Sequence, residues 1–402
     1  MILSKQVAGW LTRGFLIFAI ASALFLAGSA VAAEKPPKVN ATAVVVIEGS
    51  AEEPIFSLEL RRPVPIASIT KVMTALVVLE RSKLTDVVVV SERAAKVGEA
   101  TADLRAGERL TVKQLLGAML IESANDAAYA LADHIGGKDL VDSSRNGVKR
   151  FVLLMNEKAN DLGLTDTTFK RPDGLDADGH LSSARDVMIL ARRAMENPDF
   201  RRLVRTESLT LPGGRKLETT NDLLKKYSGV TGVKTGHTND AGWSQVAFAR
   251  RGGVQLYAVI LGSPSRVKRN SDLAALLDWG FEQFGKVRLI EGTRPYAQAL
   301  IPFAEGERLD LVADRSVSRV VQWDEPLTER VTATRMISLP VMAGQELGRV
   351  QILSGDEIIA DRPLIAAESV ASADIIDRGK WYLRRALENA GGFFEGVFGV
   401  IS

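Results

Sequence analysis

Pro63 and Pro65 lead into Ile66-Ala67-Ser68-Ile69-Thr70-Lys71-Val72-Met73-Thr74-Ala75, an apolar run that reads as a buried helix extending to about Arg81. The rest of the chain must therefore build a core around it. Ser68 and Lys71 stand three residues apart, so one helical turn places both side chains on one face. A serine hydroxyl is a poor nucleophile unless a neighbouring base takes its proton. A lysine can be that base if desolvation or a second cation lowers its pKa. Taken alone, Ser-x-x-Lys equally describes a capping serine followed by a solvated lysine. The remainder of the chain decides between them.

The N-terminus places the protein outside the cytoplasm. Lys5 and Arg13 precede an apolar stretch from Gly14 to Ala27, and Ser29-Ala30-Val31-Ala32-Ala33 follows with small residues. Charge, apolar core and Ala-x-Ala site make up the plan of a signal peptide over residues 1–33, cleaved after Ala32 or Ala33. An uncleaved N-terminal anchor is the alternative, because the stretch is almost long enough to span a membrane. Residues 1–33 carry Lys5 and Arg13 and no acid, so the remaining chain balances 49 basic against 49 acidic residues. That neutrality gives no reason to expect a nucleic-acid partner. With no cysteine, thiol catalysis, disulfides and thiolate metal sites are excluded, and three scattered histidines make no metal centre.

Glu34 to Asn40 is a short polar linker, and residues 34–285 then read as one α+β domain. Ala43 to Ile47 and Ile55 to Leu58 form a hairpin around Gly49-Ser50. Val87 to Val90 is a short buried strand. A helical region opens from Leu110 to Ile121 and resumes from Asn125 to His134. Further helices are expected over Ser143 to Leu162 and Ser183 to Glu196, the latter capped by Ser182 or Ser183 with Asp186 in its first turn. Gln245 to Arg250 and Val254 to Leu261 flank Arg251-Gly252-Gly253 as a hairpin, and a helix from Asp272 to Phe284 closes the region. Strands, a helical middle and strands again suggest helices packed on an antiparallel sheet.

Residues 286–367 change character. Short apolar runs separated by turn residues, among them Tyr296 to Ile301, Leu309 to Val312, Val317 to Val321 and Gly348 to Leu353, read as a small β-sandwich with no catalytic cluster. Residues 368–402 return to helix. Leu383, Leu387, Ala390, Phe394, Val397 and Ile401 form one apolar stripe, with Lys380, Arg384, Arg385, Glu388 and Glu395 on the rest. Trp381 and Tyr382 add interfacial aromatics. The charges throughout fit an amphipathic helix lying in a membrane surface rather than one spanning it.

Two more motifs lie downstream of the serine helix. Glu122-Ser123-Ala124-Asn125-Asp126 falls between helical segments, where Ser and Asn can point into a cleft. Gly232-Val233-Lys234-Thr235-Gly236-His237-Thr238 precedes a strand, and its glycines allow a ligand to approach backbone closely. Each alone is unremarkable as a cap or a turn. Ser-x-x-Lys, Ser-x-Asn and Lys-Thr-Gly in that order with large gaps are far more specific, being close to the set found in penicillin-binding proteins and class A β-lactamases.

From about Ala43 through Phe284 the chain resembles the low-molecular-mass penicillin-binding proteins, specifically the serine-type D-Ala-D-Ala carboxypeptidase family. Arg171-Pro172-Asp173-Gly174-Leu175, His180-Leu181-Ser182-Ser183-Ala184-Arg185-Asp186 and Ala241-Gly242 after the Lys-Thr-Gly motif carry the likeness further. It departs where Trp243-Ser244 replaces a cysteine common after the Ala-Gly pair, and at Thr220, near which some members carry an arginine. The resemblance implies a penicillin-binding/serine β-lactamase-like transpeptidase fold followed by an all-β domain. It implies Ser68 as nucleophile, Lys71 as its base beside the second cation Lys234, and Ser123 as proton relay to the leaving amine. Asn125 would bind the substrate amide, and Lys234, Thr235 and, less directly, Arg269 the terminal carboxylate. Gly236 would let strand meet substrate, and the backbone N–H groups of Ser68 and His237 would form an oxyanion hole. The His237 side chain, like His134 and His180, reads as structural. Expected partners are the peptidoglycan stem pentapeptide, β-lactams as covalent inhibitors and the membrane surface, at the periplasmic face of a bacterial inner membrane and without a cofactor. A β-lactamase would need a deacylating Glu-x-x-Leu-Asn segment, which is missing. A D,D-endopeptidase would use the same site, and a catalytically idle scaffold would not keep the motifs intact.

Overall fold

The computed structural model describes residues 17–24, 35–137, 147–304 and 306–383. The chain divides into two compact units. One spans Ala33–Gly285, and the other runs from Lys286 onward together with the N-terminal strand Ile17–Leu24.

The first unit is built on a five-stranded antiparallel sheet of β1 (Ala43–Glu48), β2 (Phe56–Leu58), β3 (Val230–Thr238), β4 (Gly242–Arg251) and β5 (Val254–Ser263), in the order β2-β1-β5-β4-β3. Ala43 to Ile47 are buried without interruption, as in a strand covered on both faces. The Gly252-Gly253 turn joins β4 and β5 in register, Val254 opposite Arg251. Strand β3 is one edge of the sheet, paired among the described residues to β4 alone, with Thr238 opposite Gly242.

The longer helices of the unit are α1 (Lys71–Arg81), α2 (Asn125–Gly137), α3 (Gly147–Asp161), α4 (Ala184–Glu196) and α5 (Arg266–Glu282). Helix α1 is buried from Lys71 through Val78, packing on α2, α3 and α4, while α4 and α5 both rest on β5. Ser183 caps α4, its Oγ accepting from the Asp186 N–H at 3.2 Å.

Three local expectations need correction, and the expected start of one helix at Ser143 lies outside the described residues. Val87–Val89 forms a strand, but Val87 and Val89 are 45% and 53% exposed because it pairs only with Arg109–Thr111 in a two-stranded ladder. The region expected to be helical from Leu110 instead begins with that ladder. Its helix, Val112–Gly117, starts at a Thr111/Gln114 capping box and relaxes into a π turn over Ala118–Glu122. Helix α5 begins at Arg266, six residues before Asp272, because Ser265 caps it through the Lys268 N–H at 3.1 Å. Helix α3 is described only from Gly147 onward.

The second unit is a six-stranded antiparallel sheet. Strands β6 (Pro295–Leu300), β7 (Arg308–Ala313), β9 (Leu327–Thr334), β10 (Glu346–Ser354) and β11 (Glu357–Ala366) run in the order β9-β10-β11-β7-β6. Strand β8 (Val317–Gln322) pairs separately with Phe284–Ile290. Leu309, Leu311, Val331, Val350, Ile352 and Leu364 form its core, and β9 alternates buried with open positions. Ile17–Leu24, inside the stretch read as an export leader, pairs along the whole of β9, Ile17 opposite Thr334 and Leu24 opposite Leu327. Helix resumes at residues 375–383; the apolar stripe beyond Leu383 lies outside the described residues, as does most of the leader. Among the described residues no helix is long and apolar enough to cross a membrane, and no acid–histidine cluster could hold a metal.

Candidate active site

The apolar run does not begin as an α-helix. Ala67–Thr70 is a 3₁₀ turn that passes into α1 at Lys71. In a 3₁₀ turn, side chains at i and i+3 eclipse, and Lys71 Nζ lies 2.8 Å from Ser68 Oγ. Ala67 sits at φ +48, a left-handed conformation for a non-glycine residue immediately before the serine. Ser68 is half-buried, while Lys71 is 0% exposed.

Lys71 has two other partners, Asn125 Oδ1 and the Asp173 carbonyl, both at 2.7 Å. The Asn125 amide is oriented by its Nδ2 group, which donates to the Gly98 carbonyl at 3.2 Å. Both Oδ1 and a carbonyl accept hydrogen bonds and never donate. A neutral Lys71 must therefore spend its two N–H groups on them, which leaves its lone pair facing the Ser68 hydroxyl. Burial is the main cause that lowers the Lys71 pKa to about 8; the Asp173 carboxylate raises it and Arg171 lowers it.

The second lysine comes from β3. Lys234 is buried, and its Nζ donates to Ser123 Oγ at 3.0 Å and to the Thr235 carbonyl at 2.9 Å. Burial, then the charges of Lys71 and Arg269, hold its pKa well below the usual range. Sequence reasoning offered desolvation or a second cation as the cause of the lowering at Lys71, and burial is the larger cause at both lysines. Ser123 ends the π turn in a left-handed conformation, φ +70, which turns its side chain toward Lys234. Thr235 Oγ1 meets Thr220 Oγ1 at 2.7 Å. At Gly236 any Cβ would fall 2.8 Å from the Ile66 carbonyl oxygen and 3.1 Å from the Ser68 nitrogen, so glycine is what lets β3 lie against the turn that carries Ser68.

Hydrogen bonds thus join Ser68, Lys71 and Asn125 in one group and Ser123 and Lys234 in another, with Thr235 and Gly236 beside them on the strand. The His237 side chain is exposed and stacks on Trp243, ring centroids 3.9 Å apart. Arg269 is 2% exposed; it donates to Asn270 Oδ1, lies 3.7 Å from Asp222 and sits over Trp243. Burial lowers its pKa to about 10. Its charge is one of those that lower the Lys234 pKa.

The segment from Lys170 to His180 was noted in the sequence only for its resemblance. It proves to be the brace of the Ser68 turn and α1. Besides the Asp173 carbonyl, the Pro172 carbonyl accepts from Thr74 Oγ1 at 2.6 Å, and Asp176 accepts from Thr238 Oγ1 at 2.6 Å. His180 Nδ1 accepts from the Lys170 N–H at 3.0 Å, so Nε2 carries the proton and donates to Thr70 Oγ1 at 2.8 Å. Burial pushes the His180 pKa down to about 4, which keeps this ring neutral.

Residues 30–265 match the family model for D-alanyl-D-alanine carboxypeptidase, and residues 288–372 match that for the penicillin-binding protein 5 C-terminal domain. The chain belongs to the D-alanyl-D-alanine carboxypeptidase family. It is 32% identical over 349 residues to the carboxypeptidase DacF of Bacillus subtilis, covering 84% of this chain and 87% of that one. It is 30% identical over 384 residues to DacD of Escherichia coli, covering 90% and 97%. Crystal structures of penicillin-binding protein 5 from Haemophilus influenzae superpose with a TM-score of 0.60 at 26% identity, covering 84% of this chain and 99% of that one. The expected fold, an α+β peptidase unit followed by an all-β domain, is therefore the family's own, and the family's activity favours neither the endopeptidase nor the β-lactamase reading.

Proposed function

We propose that this protein removes the terminal D-alanine from peptidoglycan stem pentapeptides through an acyl-enzyme on Ser68, and that β-lactams acylate the same serine. The observation that carries the reading is the Lys71 amine, 2.8 Å from Ser68 Oγ, with its other two hydrogen-bond positions taken by acceptors. Neutral Lys71 takes the Ser68 proton as Oγ bonds to the carbonyl carbon of the penultimate D-alanine. The carbonyl oxygen, now negative, is received by the backbone N–H groups of Ser68 and His237. Ser123, held by Lys234, passes its proton to the leaving amine as the C–N bond breaks and recovers one from Lys71, which is thereby neutral again. Lys234 and Thr235 hold the departing carboxylate, with the charge of Arg269 behind them, and Asn125 meets the amide on the donor side. Water then releases the acyl group, with Lys71 again accepting the proton.

The test is release of D-alanine from a muramyl pentapeptide, together with covalent penicillin labelling. Ser68→Ala is expected to abolish both. Labelling at Ser68 without release overturns the carboxypeptidase assignment, and labelling retained in Ser68→Ala means another serine is the nucleophile.

The same proposal places the protein at the periplasmic face of a bacterial inner membrane, exported by residues 1–33 and attached by its tail. Supporting this, Ile375, Ile376, Tyr382 and Leu383 are 87%, 65%, 61% and 65% exposed on the described start of the tail helix. Trp381 and Tyr382 cluster with Phe303 at ring distances of 5.3 and 5.9 Å. Amphipathic helices with interfacial aromatics bind in the headgroup plane. Deleting residues 377–402 is expected to move the protein from the membrane pellet to the soluble fraction. Retention in the pellet assigns the attachment elsewhere.

A further inference from the structure

The sheet of the second unit has two edges, and the sequence treats them differently. Strand β6 opens on Pro295, which has no N–H to offer a further strand, and its pairing with β7 shifts register between Pro295 and Ala297. Proline and bulges are devices that keep an edge from pairing with foreign strands. Strand β9 has neither. Leu327 to Thr334 holds no proline, and its pairing with β10 runs unshifted from Leu327 opposite Ser354 to Ala333 opposite Gly348. Its other side carries Ile17–Leu24 in eight consecutive antiparallel pairs. Just past β9 the two edges are tied together. The Leu300 N–H donates to the Arg335 carbonyl at 2.9 Å, and the Ile337 N–H to the Leu300 carbonyl at 3.1 Å. Upstream of that tie, Tyr296, Ala297 and Gln298 of β6 and Val331, Ala333 and Thr334 of β9 line a groove of about 500 Å³. Glu329, within β9, is 6% exposed; its Oε1 accepts from Arg294 at 3.2 Å, and its Oε2 has no hydrogen-bond partner.

Residues 17–24 belong to the stretch read as an export leader, and this inference rests on that reading. Removal of the leader strips the outer backbone groups of β9 of their partners, along an edge with no device to protect it. We propose that in the processed protein the β9 edge binds an extended apolar segment of a partner protein by strand addition. The strand seated there states the chemistry accepted: Ile-Phe-Ala-Ile-Ala-Ser-Ala-Leu is eight residues long, antiparallel to β9 and uncharged. Main-chain hydrogen bonds supply the affinity, and the groove beside Val331 and Ala333 receives side chains from one face of the partner strand. Ser22 stands opposite Glu329, so a partner with a hydrogen-bond donor at that position meets the free Oε2. A second copy of β9 would bring Glu329 and Arg330 where the seated strand has no charge, which favours a partner of different sequence.

The test uses the protein expressed with its leader and purified, its N-terminus fixed by mass spectrometry, and the soluble peptide Lys-Lys-Ile-Phe-Ala-Ile-Ala-Ser-Ala-Leu as probe. Fluorescence anisotropy of the labelled peptide is expected to show saturable binding, with hydrogen exchange slowed at residues 327–334. Only alternate N–H groups of an antiparallel strand point at its neighbour. The peptide is therefore N-methylated either at Phe18, Ile20 and Ser22 or at Ala19, Ala21 and Ala23. One set is expected to weaken binding about 100-fold, through three lost main-chain hydrogen bonds, and the other to leave it nearly unchanged. Ser22→Lys in the peptide tightens binding about threefold through Glu329, and Glu329→Gln in the protein removes that gain. No binding, or equal loss with both N-methylated sets, overturns the docking site and leaves export intact. A gain retained in Glu329→Gln places the peptide elsewhere and also overturns it. Protection of residues 327–334 without peptide, in a dimeric protein, overturns the partner and assigns the edge to a second copy. A mass that retains residues 1–33 overturns the export reading, and with it the open edge.

Discussion

Lys71→Met is expected to slow acylation of Ser68 by about 10³-fold, the middle of the range for removal of a positioned general base. Methionine fills a similar volume in the buried site but offers no lone pair to the Ser68 hydroxyl. Lys71→Arg is expected to be as slow, because a guanidinium with a pKa above about 12 does not give up its proton at working pH. The pH dependence follows from the same group. Burial lowers Lys71 to about 8, so at pH 7 about one molecule in ten holds the neutral amine. The base is the deprotonated form. Acylation by benzylpenicillin should therefore rise about tenfold per pH unit below 8 and level off above it. The residual rate of Lys71→Met should lack that limb. A wild-type profile flat between about pH 6 and 9 would remove Lys71 from the role of base.

What the sequence discloses here is whatever depends on side-chain identity at short range. The Gly252-Gly253 hairpin and the Ser183 cap of α4 were legible because the residues that make them also name them. Ser68 and Lys71 were legible as a pair at spacing three, and the 3₁₀ turn brings them closer to alignment than the expected α-helix would. Three features were not legible for three different physical reasons. The Asp173 carbonyl that orients Lys71 is backbone, and any residue could supply it. The cause of the lowered Lys71 pKa is burial by segments distant in sequence, which spacing does not record. Val87 and Val89 are β-branched like any core strand, yet exposed, because the number of neighbouring strands rather than composition decides coverage. Trp243 appeared only as a departure from the family pattern. Its place between His237 and Arg269 required the fold.

The second large effect is expected at Gly174, which touches no proposed substrate group. Gly174 has φ +87, and a Cβ built there would lie 2.0 Å from the Ala67 carbonyl oxygen and 2.7 Å from Thr70 Oγ1. In Gly174→Ala the 171–175 segment must retreat from the turn that carries Ser68. That retreat withdraws the Pro172 carbonyl from Thr74 and the Asp173 carbonyl from Lys71. Once the Asp173 acceptor is lost, a neutral Lys71 is free to rotate an N–H toward Ser68, and the lone pair no longer has a fixed direction. Acylation should fall by about 10²-fold, as for a catalytic group displaced by about 1 Å. Overpacking and backbone strain together should cost about 2–4 kcal/mol of stability. Gly107→Ala separates the two effects, since Gly107 has a similar φ of +81 but nothing within 4 Å of its Cβ position. That variant should lose only about 1 kcal/mol in a urea melt and keep its acylation rate. If Gly174→Ala acylates as fast as Gly107→Ala, the 170–180 segment merely covers the nucleophile helix, and the direction of the Lys71 lone pair is set by Asn125 alone.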